Sequence, residues 1–405
     1  MKILVLNCGS SSIKYQVFDM FDGNNENRIL AKGIIERIGL QVSKIVHKST
    51  GKENVEFHES VQNHVKGINK ILDLLVSNEY GIMQSLDEIS AVGHRVAHGG
   101  EHFTSSILID EDAEQKIEEY SELAPLHNPA NLNGIKAIRQ ILPGIPQVAC
   151  FDTSFHQTMP PHSYLYALPY DYYSKHKIRR YGFHGTSHKF VSDKACSKLG
   201  YNIENTKIIT CHLGNGSSIT AVDKGKSVDT TMGFTPLEGL MMGTRCGDID
   251  AGIILYLSQS KNLSSEQIND LLNKESGLYG ISGVSSDMRD LWNAADSGNK
   301  HAKLALDMFM YRALKYIGAY AAVMNGVDII VFTGGIGEND FQVRQTISEK
   351  LEYLGVDFDR EKNHMLRGVD FEIITKPDSK VKVVVAATDE ELVIAIDTMK
   401  LTDNK

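Results

Sequence analysis

The feature that most constrains this fold is a strand–turn–strand device that occurs twice. Near the N-terminus two apolar stretches flank the turn 7–12, which reads NCGSSS. About 200 residues later the turn 211–218, which reads CHLGNGSS, again joins two apolar stretches. The predicted strands are 2–6, 13–18, 207–210 and 219–222. Because two similar turns recur within one long chain, the sequence predicts a duplicated domain.

Each turn has two interpretations. Turns rich in Gly and Ser expose backbone N–H groups and hydroxyls that can cradle a phosphate. The same residues are also common in ordinary hairpin turns. The Walker loop and the dinucleotide fingerprint both lead from a strand into a helix, so neither describes these strand-to-strand turns. Two turns that close on one phosphate chain would need this repeat, and we therefore favour phosphate binding for the pair.

A third glycine cluster, TGGIGEN at 333–339, follows the apolar stretch 327–332. Position 340 is Asp340, so the run Gly335-x-Gly337 lacks the third glycine of the dinucleotide fingerprint. Glycines at the carboxyl end of a strand let a base or ribose approach the backbone closely. The alternative is an ordinary loop before a helix.

Composition excludes several classes of protein. The chain has 405 residues, 42% hydrophobic and 23% charged, which is typical of a globular protein with two or three domains. A net charge of −9 argues against general nucleic-acid binding. We expect no membrane partner, because no apolar run is long enough for a bilayer and the N-terminal one is too short for a signal peptide. The five cysteines form no C-x-x-C pair and are expected to be reduced in the cytoplasm.

Nine motifs in order resemble the acetokinase family of short-chain carboxylate kinases, over essentially the whole chain. They are NCGSSSIKY, GHRVAHGG, APLHNP, FDTSFH, YGFHGTSH, HLGNGSS, MGTRCGDID, FTGGIGEN and TDEEL. The resemblance implies a reversible exchange of a phosphoryl group between ATP and acetate, giving ADP and acetyl phosphate. It also implies an α/β fold with duplicated ribonuclease-H-like domains, as in actin-like ATPases, facing a central cleft. We expect the first domain at 1–151 plus 389–405, the second at 152–388, and a homodimer.

The reaction chemistry predicts a site rich in cations. A carboxylate with a pKa of about 4 is already ionised at neutral pH, so it needs no general base and direct in-line transfer is expected. Arg95 and Arg245 lie near glycines, and a guanidinium can hold two oxygens of a phosphoryl group or carboxylate. The alternative role for each arginine is a structural ion pair.

The resemblance assigns roles to individual residues. It implies that Arg95 binds the acetate or phosphoryl end, and that Arg245 and His184 stabilise the transferring phosphoryl group. His127 matches a second histidine near the phosphoryl path. Asp152 matches the family's active-site aspartate, and we expect it to orient magnesium and Arg95. The residues that match the magnesium-associated positions are Asn7 and Glu390.

Magnesium is the expected metal, with manganese as an alternative. Magnesium takes few protein ligands and completes its shell with water and phosphate oxygens. Glu390 and Glu391 could instead favour the dipole of the last helix, with Thr388 or Asp389 as its cap. Which of the two glutamates faces the metal stays open at this stage, and Glu390 is preferred.

The resemblance also places ATP or ADP and the acyl group. The positions implied for the nucleotide are Lys14, His212, Leu213, Gly214, Asn215, Gly216, Asp287, Met288, Arg289, Gly335, Ile336, Gly337, Glu338 and Asn339. Those implied for the acetate methyl are Ala97, Leu126, Phe183 and Pro236. Many relatives have valine where this chain has Ala97, so measurable propionate turnover is expected. Two other functions remain as alternatives: a propionate or butyrate kinase, and a non-catalytic ATP-binding clamp.

Overall fold

The computed structural model describes residues 1–21, 27–125 and 127–403, and its chain divides into two compact units. The first unit comprises Met1–Ser154 and Asp389–Lys405, and the second comprises Phe155–Thr388. The sequence predicted boundaries at 151/152 and 388/389. Each unit has its own sheet and its own helices.

The first unit is built on one sheet, with strands and helices numbered here in chain order. Its strands are β1 Lys2–Cys8, β2 Ser12–Asp19, β3 Arg28–Glu36, β4 Ser43–Ser49, β5 Val55–Glu59, β6 Ile89–Val96, β7 Ile107–Leu108 and β8 Gln147–Phe151. Its helices are α1 His64–Val76, α2 Glu111–Glu119, α3 Asn128–Ile141 and α15 Glu390–Thr402. The strand order is β5-β4-β3-β2-β1-β6-β8-β7.

The second unit has a smaller sheet and more helices. Its strands are β9 Lys207–Leu213, β10 Ser217–Asp223, β11 Lys226–Thr230, β12 Ile329–Thr333, β13 Phe371–Ile373 and β14 Lys382–Ala386. Its helices are α4 Pro161–Tyr164, α5 Asp171–His176, α6 Gly185–Leu199, α7 Ala251–Ser260, α8 Ser265–Lys274, α9 Gly277–Ser282, α10 Met288–Asp296, α11 Lys300–Val323, α12 Gly334–Asn339, α13 Phe341–Ser348 and α14 Arg360–Met365. The strand order is β11-β10-β9-β12-β14-β13.

The two sheets share one arrangement of five strands. In the first unit β1 pairs antiparallel with β2 and parallel with β6, β2 pairs antiparallel with β3, and β6 pairs parallel with β8. In the second unit β9, β10, β11, β12 and β14 repeat these pairings in the same order. The predicted duplicated α/β fold is therefore confirmed, and the two Gly/Ser-rich turns occupy equivalent places in it.

The central strands β1, β9 and β12 are almost entirely buried on both faces, which explains their nearly continuous apolar residues. In β1, Leu4 and Leu6 pack with residues of α1 and α3, whereas Ile3 and Val5 pack with Ile394 of α15. In β12, alternate residues likewise join two different cores, one of which includes α11 and the other α6. The alternation follows from the period of two along a strand.

The observed elements extend several predicted ones. β1 continues to Cys8 and β9 to Leu213, so each pair of strands reaches further into its polar turn than the apolar residues alone indicated. The longest helix of the described chain is α11, which spans Lys300–Val323 and is rich in apolar residues. Within the described ranges, no helix combines the length and the apolar character needed to cross a membrane.

Candidate active site

In the first unit, three predicted residues meet at the carboxyl ends of neighbouring parallel strands. Asn7 lies near the end of β1, Arg95 near the end of β6, and Asp152 directly after β8. Arg95 donates through Nε to Oδ1 of Asp152 at 2.9 Å and through Nη2 to Oδ2 at 2.5 Å. Its Nη1 lies 3.4 Å from Oδ1 of Asn7. The carboxyl ends of adjacent parallel strands are where open α/β sheets bind ligands.

The pair of Arg95 and Asp152 is held in a low-dielectric setting. The side chain of Asp152 is 2% exposed and that of Arg95 is 26% exposed. The Asp152 carboxylate raises the pKa of Arg95, and Glu390 raises it further. Because two of the guanidinium nitrogens face Asp152, the aspartate fixes the plane and direction of the fork.

Glu390 lies in the first turn of α15 and shares this charged environment. Asp389 caps the helix, since its carboxylate accepts from the backbone N–H of Leu392 at 2.9 Å. The pKa of Glu390 is raised by burial, while Arg95 opposes that rise. A carboxylate whose charge is disfavoured by burial gains from a neighbouring cation. Of the two caps that the sequence left open, Thr388 and Asp389, the structure has Asp389.

Two oxygen-bearing side chains near Arg95 are suitable ligands for magnesium. The amide oxygen of Asn7 and the carboxylate of Glu390 are hard oxygen ligands of the kind that magnesium prefers. Among the described residues, no group of three His, Cys, Asp or Glu side chains is placed to hold a metal ion. Magnesium usually takes few protein ligands, so water and phosphate oxygens would complete its shell if it bound to these two residues.

The remaining first-unit residues border this edge of the sheet. Ala97 is 6% exposed, and its backbone N–H donates to Oδ1 of Asn131 on α3 at 3.0 Å. His127 lies directly before α3. Lys14 lies on an exposed face of β2, opposite Asn7 in the strand register. Leu126, predicted to touch the acetate methyl, lies outside the described residues.

In the second unit, His184 sits at a strained turn that leads into α6. Its φ is +57°, a left-handed conformation that is uncommon outside glycine. Its Nδ1 is hydrogen-bonded to Oγ of Ser218 at 2.9 Å, and its ring stacks on His212 with centroids 4.3 Å apart. The same serine hydroxyl lies 2.7 Å from Nε2 of His188. Such contacts fix the ring's position, which a catalytic donor requires.

Two buried histidines near His184, His188 and His156, are neutral at neutral pH because their pKa values are lowered. Burial lowers the pKa of His188 well below its usual value, with His156 and His212 adding to the effect. Burial lowers the pKa of His156 to about 4. His156 is hydrogen-bonded to the carbonyl of Phe183 and His188 to Oγ1 of Thr210, so both neutral rings serve as fixed hydrogen-bonding groups.

Arg245, in the second unit, is a partly buried cation without a partner carboxylate among the described residues. Its Nη1 donates to the carbonyl of Pro236 at 3.0 Å. Within the described residues, no carboxylate lies within ion-pair distance of it, and burial lowers its pKa. A partly buried guanidinium without an acidic partner is poised to bind an anion.

Gly216 brings Arg245 and His184 to one place. A Cβ atom built on Gly216 would lie 3.5 Å from Nη1 of Arg245, 3.6 Å from Cε1 of His184 and 3.7 Å from Nε2 of His184. The two predicted phosphoryl-stabilising groups therefore border the same space beside the turn. This turn is the one that the sequence predicted to cradle phosphate.

The other glycine-rich segments of this unit adjoin the same turn. A Cβ atom on Gly214 would lie 4.0 Å from the backbone nitrogen of Gly335. A Cβ atom on Gly243 would overlap Oδ1 of Asn215 and lie 3.3 Å from Cβ of Ser286, the residue before Asp287. The turns predicted to bind nucleotide are thus neighbours within this unit.

Several residues predicted to bind nucleotide already have partners. Glu338 accepts from the backbone N–H groups of Gly334 at 3.0 Å and Thr388 at 3.1 Å, so its carboxylate bonds to the start of its own helix and to the segment after β14. Asp287 caps α10 and pairs with Arg289, whose side chain is 86% exposed. Hydrogen bonds from Arg289 lower the pKa of Asp287 to about 2.

The predicted acyl residues of the second unit are partly sheltered. Phe183 is 5% exposed and packs with Met232 and Met242 in a small apolar cluster. Pro236 is half-buried and accepts from Arg245 through its carbonyl. The position of the Arg245 guanidinium therefore depends on the position of the loop that contains Pro236.

The sequence prediction missed the residues that hold His184 in place. Ser218 and His188 lie within quoted motifs, but nothing in the motifs assigned them a role. The nearness of His184 and His188 in the sequence, four residues apart, is the only signal available, and it does not assign His188 a role because His184 lies in the turn before α6. The contribution of Ser218 requires the register of β10, which the sequence does not supply.

Comparisons with known proteins show the family and the fold of this chain. The model of the acetokinase family matches residues 2–396. The acetate kinase of Caldanaerobacter subterraneus subsp. tengcongensis is 58% identical over 402 residues, which is 99% of each chain. The crystal structure of Porphyromonas gingivalis acetate kinase superposes with a TM-score of 0.94 at 50% identity, and a propionate kinase from Francisella tularensis with 0.89 at 44%. Both structures cover 99% of this chain and are themselves covered to 99%.

Proposed function

The chain belongs to the acetokinase family, and from that premise we propose direct in-line transfer between ATP and acetate, stabilised by Arg245 and His184. It is a phosphotransferase with a carboxyl group as acceptor, and it exchanges a phosphoryl group between ATP and acetate to give acetyl phosphate and ADP. The proposal concerns which residues do this and how.

One observation carries the assignment: Arg245 has no partner carboxylate in the described chain and shares a space with His184 beside Gly216. In the transition state of phosphoryl transfer, negative charge is spread over the equatorial oxygens. A guanidinium and an imidazole held in advance beside that charge stabilise it without reorganisation. Ser218 keeps the His184 ring in that place.

We assign the acetate or phosphoryl end to Arg95. Two of its nitrogens face Asp152, so the aspartate acts by orienting the guanidinium. Since the acetate carboxylate is already ionised at neutral pH, Asp152 need not accept a proton. We place His127 beside the phosphoryl path, because it begins the helix whose Asn131 also holds Ala97.

Asn7 and Glu390 would hold magnesium, with manganese as the alternative ion. Bound there, the ion would neutralise charge on the phosphate oxygens. We assign the nucleotide to the turns around Gly214, Asn215 and Gly335, with Lys14 of the first unit as a further phosphate contact. The acyl methyl is assigned to Ala97, Leu126, Phe183 and Pro236.

Two measurements test the proposal. Trapping acetyl phosphate as hydroxamate should detect product from ATP and acetate, and a non-catalytic ATP-binding clamp would give none. Stereochemical analysis with a chirally labelled γ-phosphate should show a single inversion at phosphorus. Net retention would point to a covalent phosphoenzyme and would refute direct transfer.

We also propose a homodimer in which α7 contributes to the interface. None of the residues of α7 is buried, although several of them are large and apolar. Ile253 is 44% exposed, Leu255 60% and Tyr256 53%. A helix that exposes several apolar side chains is typical of an interaction surface. Light scattering should give twice the chain mass of 44.9 kDa. Leu255→Lys should lower that value, and a wild-type monomer would contradict the proposal.

A cytoplasmic location is the remaining part of the proposal. All five cysteines are free thiols, and burial raises the pKa of Cys8 to about 12. Buried thiols without disulfide partners are typical of a reducing compartment. Fractionation of cells should recover the activity with other cytoplasmic enzymes.

A further inference from the structure

A polar cluster in the second unit connects the two segments that carry the acyl and phosphoryl residues. Arg180 lies four residues before His184, and Glu238 lies two residues after Pro236. Nη2 of Arg180 donates to Oε1 of Glu238 at 2.6 Å, and the two side chains are only 16% and 30% exposed. The hydroxyl of Tyr166 donates to the other carboxylate oxygen, Oε2.

The cluster also holds the backbone of the loop 232–238. Nη1 of Arg180 donates to the carbonyls of Thr230 at 2.8 Å, Thr231 at 3.0 Å and Met232 at 3.3 Å. The backbone N–H of Phe234 donates to the hydroxyl of Tyr166 at 2.8 Å. Two side chains, which Glu238 joins, thus fix the path of the chain into the loop.

The fit around this cluster is tight. A Cβ atom on Gly233 would lie 1.7 Å from Oε2 of Glu238 and 2.3 Å from the hydroxyl of Tyr166. The backbone N–H groups of Tyr181 and Gly182 both donate to the carbonyl of Gly233, at 3.0 and 3.3 Å. The segment that leads to Phe183 and His184 is therefore bonded directly to the loop that carries Pro236.

We propose that Tyr166, Glu238 and Arg180 form a clamp that positions the loop 232–238 and thereby sets acyl-chain selectivity. The inference rests on the proposed function, since it concerns the same acyl group. The loop carries Pro236, which we assign to the acyl methyl, and the Pro236 carbonyl accepts a hydrogen bond from Arg245. A looser loop would widen the acyl pocket and release the anchor of Arg245. The three clamp residues are positioning residues, because they act through Pro236 and Arg245.

Tyr166→Phe is the sharpest test, because it removes one oxygen and keeps the ring. The variant loses the hydrogen bond that the Phe234 N–H donates to the tyrosine hydroxyl. It also loses the one that this hydroxyl donates to Glu238. We expect KM for acetate to rise about tenfold, the value of one hydrogen bond of about 1.4 kcal/mol. The propionate-to-acetate ratio of kcat/KM should rise at least about threefold, within the range for one methylene. KM for ATP should stay within about twofold.

Tyr15→Phe is the matched control in the first unit. It also removes a buried tyrosine hydroxyl, which is hydrogen-bonded to Nδ1 of His47. Both variants should lower the melting temperature, but only Tyr166→Phe should change the selectivity ratio. Equal losses of stability with an unchanged ratio in both variants would overturn the clamp.

Glu238→Gln supplies an independent second variant. Its amide oxygen can still accept from Arg180, while its NH₂ group faces the Tyr166 hydroxyl as a donor. If the three groups act as a unit, the double variant Tyr166→Phe/Glu238→Gln should be no more impaired than the worse single variant. Additive losses would overturn the clamp. If the wild type turns over both carboxylates but the variants keep its propionate-to-acetate ratio of kcat/KM, the clamp alone is refuted. If the wild type turns over neither carboxylate, the proposed function and the clamp are refuted together.

Discussion

The space beside Gly216 gives the sharpest prediction about catalysis. Gly216 does not adopt a positive φ, so alanine fits its backbone without strain. The new methyl would meet Arg245 and His184 at 3.5 to 3.7 Å, which are ordinary contacts. Gly216→Ala should therefore fold normally while filling the space that we assign to the phosphoryl group.

The magnitude follows from the distances. An oxygen that accepts from a charged nitrogen sits about 2.8 Å away, whereas a methyl keeps its neighbours at about 3.5 Å or more. A methyl beside both groups would displace that oxygen from at least one of them. Losing one charge-assisted hydrogen bond costs about 1.5–3 kcal/mol, which lowers kcat/KM by about 10- to 100-fold. The loss should fall mainly on kcat, since these donors act most strongly as charge develops.

A coupled assay of ADP formation, with acetate and ATP varied separately, measures this loss. Gly318→Ala is the control, since Gly318 lies within α11 and its added Cβ would meet only the hydroxyl of the exposed Tyr353, at 3.2 Å. The control should keep wild-type kinetics, and both variants should melt near the wild-type temperature. If Gly216→Ala kept kcat/KM within about twofold, the phosphoryl group would not occupy this space.

Three further predictions address other parts of the molecule. Arg245→Leu should lower kcat by about 100-fold or more and change KM for ATP little, and unchanged kcat would contradict a transition-state role. Ala97→Val should cut kcat/KM for propionate several-fold and leave acetate nearly unchanged, and equal losses on both would place Ala97 away from the acyl group. His94 and His156 each have a pKa lowered to about 4 by burial, so the unfolded state binds more protons below about pH 6.5 and stability falls as pH drops from 6.5 toward 4. At pH 5 each of these two histidines should lower the free energy of unfolding by about 2 kcal/mol. His94→Gln should therefore reduce the fall in melting temperature between pH 7 and 5, and an unchanged fall would contradict the lowered pKa of His94.

The architecture could be predicted because its signals are local and repeated. The strands that lead into the two Gly/Ser-rich turns, β1 and β9, carry apolar residues on both faces, and this pattern is typical of central strands in a covered sheet. The 24-residue helix α11 likewise follows from its own composition. The ends of β1 and β9 were less predictable, because Asn7 and His212 are polar residues that pair within the sheet for reasons of register rather than propensity.

The candidate site was predictable only where a residue carries its chemistry in its own side chain. Arg95 and Arg245 look alike in the sequence, since each is a basic residue close to glycines. The structure separates them: Arg95 is paired with a buried aspartate, whereas Arg245 has only backbone carbonyl and thioether contacts among the described residues. That difference depends on which strand ends lie side by side. The two arginines therefore differ in how they would bind an oxyanion, one as an oriented fork and the other as a cation that gains its first acidic partner from the substrate.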